Sequence, residues 1–387
     1  MKKVKLGDIA TTITKGTTPT TIGFNFVDDG VNFVKIESIS DGNFLKEKFG
    51  HIEERCNKKM QRSQLQENDI LFSIAGAIGR VAIVNKEILP ANTNQALAII
   101  RIANGIVFYP YLLYVLKSSF VYEQFEKKKQ GVAQLNLSLK DVSDLEISLP
   151  SLEEQKAIAD RLDKVSSLIE KRKTQLAKLD ELVKSRFIEM FGDPVKNSMG
   201  WSSKPLNDVC DGIGDGLHGT PEYDENGAYP FINGNNLIDG QIIITPTTKM
   251  VSEETCKKHF IDISLNAILI SINGTLGKMA FYNGEQIMLG KSVCYCNLKL
   301  NVNKIFVYAV MKSVAFAEFL DNSSTKSTIK NVGLKAMREF KLILPPLELQ
   351  EKFATFVKQT DKSKLAIQKS IDKLETLKKS LMQQYFG

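Results

Sequence analysis

The chain carries one unit twice, and no other feature limits its fold as much. Residues 68–85, NDILFSIAGAIGRVAIVN, and residues 266–283, NAILISINGTLGKMAFYN, agree at nine of eighteen positions without a gap. Unrelated segments of ordinary composition agree at about 6 %. Downstream, residues 149–192 begin LPSLEEQ and end MFG, residues 344–387 begin LPPLELQ and end YFG, and 13 of 44 positions match. Near the two starts, Leu6, Asp8 and Ile9 face Leu206, Asp208 and Val209, and Gly16-Thr17-Thr18-Pro19 faces Gly219-Thr220-Pro221. The repeat divides the chain into globular parts at 1–149 and 194–344 and tails at 150–193 and 345–387. Two copies this long exclude a solenoid of short repeats.

The globular parts carry strand signals. Asp69–Ile74 and Arg80–Val84 are apolar runs around Ala75-Gly76-Ala77-Ile78-Gly79, which predicts a hairpin. The second copy has the same form around Asn273-Gly274-Thr275-Leu276-Gly277. Tyr109–Lys128 and Ile305–Leu320 have apolar residues at helical spacing and no internal breaker, so each predicts one helix. Each part is expected to be a mixed α/β domain around a twisted sheet.

The tails read as long helices. Ser151-Leu152-Glu153-Glu154 is a capping box, and the helix is expected from about Leu152 to Met190. Leu162, Val165, Ile169, Leu176, Leu179 and Val183 recur at spacings of three and four, a coiled-coil seam interrupted at Arg172. Val357, Ile367, Ile371, Leu374 and Leu381 keep the pattern in the second tail, with Thr360 and Lys364 weakening its start. Such a helix is roughly 57 Å long. The second globular part joins the end of the first helix to the start of the second. Parallel packing would hold those points a helix length apart, so antiparallel packing is expected. The expected class is α+β: two mixed domains at opposite ends of two long antiparallel helices, related by a pseudo-twofold axis.

Composition narrows the function. Of the 387 residues 43% are hydrophobic and 25% charged, which excludes wholesale disorder. The basic start MKKVKLGDIATTITKG lacks an apolar stretch behind it, so no secretory signal is expected, and no apolar run approaches the length of a membrane span. Five cysteines make no disulfide framework and suit a reducing cytoplasm. The net charge is +7, with +3 on 1–149, 0 on 150–194, +1 on 195–344 and +3 on 345–387. That balance permits a nucleic-acid partner through a local patch without demanding one.

No catalytic constellation stands out. The three histidines, His51, His218 and His259, lie near no cysteine pair with zinc spacing. Cys294 and Cys296 fall on an expected strand, read as one thiol facing inward and one outward, both structural. Gly290-Lys291-Ser292 resembles the end of a phosphate-binding loop, but the earlier glycine is replaced by Glu285. No G-x-G-x-x-G follows a strand, and no [DN]-P-P-[YF] tetrapeptide is present for holding a base during amino methylation.

These residues resemble a known family, the specificity subunits (HsdS) of type I restriction–modification systems, along the whole chain. The most specific matches are the two L-P-x-L-x-x-Q segments at Leu149–Gln155 and Leu344–Gln350. The G-T-x-P-like loops, the paired S-I-x-G-x-x-G segments at Ser73–Gly79 and Ser271–Gly277, and Gly200-Trp201 also fit. The second G-T-P, at 219–221, lacks one threonine of the first. The resemblance implies that 1–149 and 194–344 are target recognition domains, each reading one half of a bipartite, asymmetric site in double-stranded DNA. It implies that the helices space them and dock two modification (methyltransferase) subunits, joined by restriction subunits for cleavage. The chain itself would then be non-catalytic, with S-adenosylmethionine, ATP and Mg on the partners.

Candidate DNA contacts are polar residues of expected loops, because Asn and Gln can bond adenine in two places, and Arg and Lys can bond guanine. In copy one they are Lys15, Thr17, Thr18, Arg80, Asn92, Asn94, Gln95, Gln134 and Asn136. In copy two they are His218, Thr220, Asn233, Asn235, Asn236, Lys278, Lys291, Ser327, Lys330 and Asn331. Each competes with a plainer role as a turn former or solvated side chain. Gly76, Gly79, Gly274 and Gly277 read as turn formers, and Lys127-Lys128-Lys129 as a solvated charge run. Leu152, Glu153, Gln155, Ile158, Leu347, Glu348 and Gln350, at the two helix starts, are the candidate subunit interface, against the plainer reading that each start packs on its own domain. The competing function is a protein-binding scaffold with two domains on a coiled-coil spacer. A self-sufficient DNA methyltransferase or nuclease lacks its motifs.

Overall fold

A computed structural model describes residues 3–126 and 136–387. The Lys127–Lys129 run and Gln134 lie outside the described residues. The chain forms two compact units, one of residues 1–173 with 369–387 and one of residues 174–368. Each therefore contains a globular part and a piece of both long helices.

In the first unit a four-stranded antiparallel sheet has the order Ala10–Lys15, Leu97–Ile102, Ile70–Ser73, Val81–Ile83. In the second the order is Cys210–Asp215, Val293–Leu298, Ala267–Ser271, Met279–Phe281. The expected hairpins are the last two strands of each sheet. Both units also have a smaller sheet built on a parallel pair, Ala91–Thr93 with Val31–Val34 and Met288–Leu289 with Tyr229–Ile232. The first strand of each part pairs with the strand that leads to the long helix, Lys3–Lys5 with Glu146–Ser148 and Ser203–Pro205 with Lys341–Ile343. The internal repeat is thus a repeat of topology, in an α+β fold.

The long helices run Leu152–Phe191 and Leu347–Phe386. The capping box forms at the first: the Ser151 amide and hydroxyl donate to Glu154 Oε2 at 3.1 and 3.0 Å. Pairing is antiparallel within each unit. In the first, Arg161 donates to the Tyr385 hydroxyl at 2.9 Å, and Phe386 packs edge-on against Tyr111. In the second, Asp180 meets Lys364 at 2.6 Å and Phe187 meets Phe353. Lys364, a weak point of the seam by sequence, is thus held by an ion pair. Gly192 ends the first helix, and the Trp201 indole N–H donates to the Phe191 carbonyl at 3.0 Å, which gives Gly200-Trp201 a structural role.

Three expectations need correction. The helices expected over Tyr109–Lys128 and Ile305–Leu320 are each broken in two, as Tyr109–Leu116 then Ser119–Glu126 and Lys304–Met311 then Val314–Ser323. The breaker is a serine in the same place: Ser118 and Ser313 each donate to a carbonyl three residues back, Val115 and Val310, at 2.6 Å. A serine hydroxyl competes for backbone groups and favours a new helix start.

Cys294 and Cys296 do not point to opposite faces. Both are fully buried in the same core. Residues two apart on a strand share a face. Hydrogen bonding to Cys210 and Cys294, with burial, pushes the Cys296 thiol well above the ordinary range.

The third correction concerns the glycine of the first loop. Lys15 pairs with Ala98 and Asp215 with Cys294, so the structural counterpart of Gly16 is Gly216, not Gly219. A Cβ on Gly16 would sit 1.7 Å from the Thr93 carbonyl oxygen, and one on Gly216 2.1 Å from that of Leu289. Both glycines are there because the chain leaving one strand passes too close to the end of another for a side chain.

Candidate nucleic-acid interface

The hairpins organise the candidate surface. The Ser73 hydroxyl donates to the Ala77 carbonyl at 2.6 Å and accepts the Arg80 amide at 2.8 Å. Ser271 does the same with Thr275 at 2.6 Å and Lys278 at 2.9 Å. Both serines are fully buried. Gly76 and Gly79, with φ of 64° and 87°, and Gly274 and Gly277, both at 77°, complete these turns. The S-I-x-G-x-x-G motif therefore closes a tight turn and presents the next residue, Arg80 or Lys278.

In the first unit, the Thr18 hydroxyl donates to Gln95 Oε1 at 2.6 Å, and the Gly16 amide donates to the Asn94 carbonyl at 3.2 Å. Lys15 and Gln95 are exposed, and Thr17, Thr18 and Asn94 half-buried, so these five form one surface strip. Arg80 is exposed, but its Nη1 donates to the carbonyls of Ile36 and Ile39 at 3.0 and 3.1 Å. Asn136 is exposed beside the hairpin, because Leu137 next to it donates its amide to the Ile74 carbonyl at 2.8 Å. Asn92 is a correction. It lies on a strand, fully buried, with Nδ2 donating to Asn57 Oδ1 and the Met60 carbonyl at 2.9 and 3.2 Å. No part of it reaches a surface.

In the second unit the candidates form a chain of contacts. Lys291 donates its amide to the Leu217 carbonyl at 3.0 Å, beside exposed His218 and Thr220. His218 Nε2 lies 2.8 Å from Asp215 Oδ2. The Ser292 hydroxyl accepts the Gly234 amide and donates to Asn233 Oδ1, both at 3.1 Å. Lys278 Nζ reaches Asn235 Oδ1 at 3.4 Å. The Gly274 amide donates to the Lys330 carbonyl at 2.9 Å, and Asn273 reaches Asn331 at 3.4 Å. The Lys330 ammonium pairs with Asp321, and the Ser327 hydroxyl donates to the Ile329 carbonyl. Asn236 is committed internally, with Nδ2 on the Ile243 carbonyl at 2.9 Å and Oδ1 accepting the Asn233 amide. It closes the short 3-10 turn Gly234–Asn236, and its amide shapes that turn.

The helix starts separate into surface and interior. Leu152, Glu153 and Glu348 are exposed and Leu347 half-buried. Gln155, Ile158 and Gln350 are buried at 0%, 5% and 1% exposure, which corrects their place in a subunit interface. Ile158 packs in the core of its own unit. Gln155 Oε1 accepts the Phe108 amide at 2.8 Å, and its Nε2 donates to the carbonyls of Ile106 and Pro150 at 3.2 and 3.0 Å. Gln350 Oε1 accepts the Asn303 amide at 3.0 Å, and its Nε2 donates to the Pro345 carbonyl at 2.7 Å.

The type I restriction modification DNA specificity domain, as a family profile, matches residues 1–181 and 199–378. The chain belongs to this specificity family. Among its relatives, the type I restriction enzyme MjaIX specificity subunit of Methanocaldococcus jannaschii is 24% identical over 99% of this chain and 91% of its own length. The EcoBI specificity subunit of Escherichia coli is 32% identical over 43% of this chain and 35% of its own length. A chain solved in work on assembly and conformational transition of the type I R-M system is similar in fold, with a TM-score of 0.66 at 18% identity, covering 100% of this chain and 97% of that one. The type I restriction–modification S subunit from M. genitalium gives 0.55 at 16% identity, covering 100% and 96%.

Sequence reasoning about this specificity-family chain missed Ser292, which ties two candidate loops together. Its signal was the Gly290-Lys291-Ser292 run, weighed as a phosphate loop and, at Lys291 alone, as a DNA contact. The paired glutamines of L-P-x-L-x-x-Q carried a clear signal, their recurrence, but the domain amides they accept lie 47 residues earlier in each copy. Among the described residues no group of three or more His, Cys, Asp or Glu could hold a metal ion, and no helix is long and apolar enough to cross a membrane.

Proposed function

We propose that this chain is the DNA sequence-specificity subunit of a type I restriction–modification complex, and that each unit reads one half of a bipartite site in double-stranded DNA. The observation that carries the reading is the gathering of polar loops beside an equivalent serine-closed hairpin in both units, in a chain whose family is defined by DNA specificity. Two readers built on one topology but bearing different side chains suit a target with two unlike halves. Phosphate contacts would set the register of each unit, and base-edge contacts would specify. Lys15, Thr17, Thr18, Gln95, Arg80 and Asn136 are the contacts we favour in one unit, and His218, Thr220, Asn235, Lys278, Lys291 and Lys330 in the other. The long helices would set the separation of the half-sites.

The chain is read as non-catalytic and cytoplasmic. Two modification subunits would dock on the exposed helix starts and restriction subunits would join for cleavage, with S-adenosylmethionine, ATP and Mg on those partners. The test is a gel shift of duplex DNA by the chain assembled with its modification subunit. Binding that weakens steeply with salt is expected. Methylation-aware sequencing of a cell carrying both genes should show one split motif. Methyl transfer by the purified chain alone, or an assembled complex that binds no duplex DNA, would overturn the reading.

A further inference from the structure

We propose that Gln155 and Gln350 are positioning residues that fix the spacing of the bipartite target, each by clamping its globular part to the long helix that follows. The proposal rests on the reading above. Each glutamine sits one turn into its helix and is buried, at 0% and 1% exposure. One end of each amide holds the backbone N–H that opens a helix of the globular part, at Phe108 or Asn303. The other end holds the proline carbonyl of the link into the long helix, at Pro150 or Pro345. One side chain therefore joins three things: the long helix, its link and the domain.

A buried amide is costly unless both ends are bonded, so a side chain of similar size without polar atoms would suffice if packing alone were needed. Apolar contacts here, such as Ile158 or Phe353 in their cores, supply burial, which is non-directional. Hydrogen bonds add direction. Direction matters because the tolerance is small. A part of about 150 residues has a radius of gyration near 15 Å, so a pivot of roughly 13° about the link moves a residue at that radius by about 3.4 Å, one base-pair step. The clamp recurs in both copies at the same three places, while most other positions of the tails have drifted apart.

The test uses the full chain assembled with its modification subunits, on duplexes that keep both half-sites and vary the spacer by one or two base pairs either way. The wild-type complex should methylate one spacer length. Gln350→Leu should raise methylation at spacers one base pair off, relative to the native spacer, by about tenfold, the scale that one net hydrogen bond converts to. Base preferences within each half-site should not change. Gln350→Glu, which keeps an acceptor for the Asn303 amide, should relax spacing less. A uniform loss across all spacers, or altered base preferences, overturns the clamp. If Gln350→Leu does not fold, the Glu variant decides alone, and an unchanged spacer ratio there overturns it. A wild-type complex with no bipartite site would instead overturn the functional reading on which the clamp depends.

Discussion

Asp69 and Arg101 form a two-pronged ion pair inside the first unit, with Oδ1 accepting Nε at 2.8 Å and Oδ2 accepting Nη2 at 3.1 Å. The Asp69 side chain is 2% exposed and that of Arg101 23%. The same register in the second unit pairs Ala267 with Asn297, so that unit has dispensed with the pair. Breaking a buried pair leaves one charge uncompensated, which costs about 3–5 kcal/mol. Asp69→Ala should therefore lower the unfolding transition of the first unit by that order in urea. The double change Asp69→Ala with Arg101→Asn, which copies the second unit, should recover a large part. Equal stability of the single variant and wild type would show that the pair contributes nothing.

The hairpin serines give a second expectation. Ser271→Ala leaves the Thr275 carbonyl and the Lys278 amide without their partner, and each group left unsatisfied costs about 1–3 kcal/mol where water is excluded. Hydrogen exchange at the Lys278 amide should speed up, with the rest of the sheet protected. Unchanged exchange there would mean that the glycines alone hold the turn.

Much of this was legible in sequence, and the misses have physical causes. The repeat, the hairpins, the capping box and the long helices are local or periodic signals, and local signals survive in one chain. Ser118 and Ser313 broke two helices because a serine reads as neutral inside a helical pattern until its hydroxyl finds a carbonyl. The thiols were misread by applying strand alternation to residues two apart. At the candidate interface, composition marked polar loops but could not say which amides the fold had already used. Asn92 and Asn236 are spent on internal bonds, whereas Asn235 and Asn136 are exposed. That distinction depends on partners such as Asn57 and Ile243, which no local pattern points to.

A third expectation concerns alkaline pH. Burial, then the hydrogen bond to Asp163, pushes the Tyr114 phenol up to about 12. Burial also raises Tyr111, with the Glu154 charge adding to it. An unfolded tyrosine titrates near 10. Between those values the folded state holds more protons than the unfolded one, so stability is complete below about pH 10 and falls as pH rises toward about 12. The midpoint of thermal unfolding should drop across that window. Tyr114→Phe should flatten the drop without abolishing it, since Tyr111 remains. An equally steep drop in the variant would remove Tyr114 from the account.

The last expectation is about where partner subunits dock. The buried glutamines leave the outer faces of the helix starts as the surface common to both copies. Glu153 is exposed, and Glu348 is exposed and pairs along its own helix with Lys352 at 2.8 Å. That bond, with the nearby ammonium charge, holds the Glu348 carboxyl below its ordinary range. An exposed carboxylate in the first turn contributes little to folding, because solvent screens both the helix dipole and the ion pair. Two equivalent partners need two equivalent surfaces. Glu153→Lys with Glu348→Lys should therefore leave circular dichroism and thermal unfolding close to wild type while weakening assembly with the modification subunits, read by size-exclusion with light scattering. Each single change should cost one partner and leave the other. Full assembly of the double variant would move the docking surface elsewhere on the helices. An unfolded double variant would show that these carboxylates hold the helix starts and leave no case for a partner there.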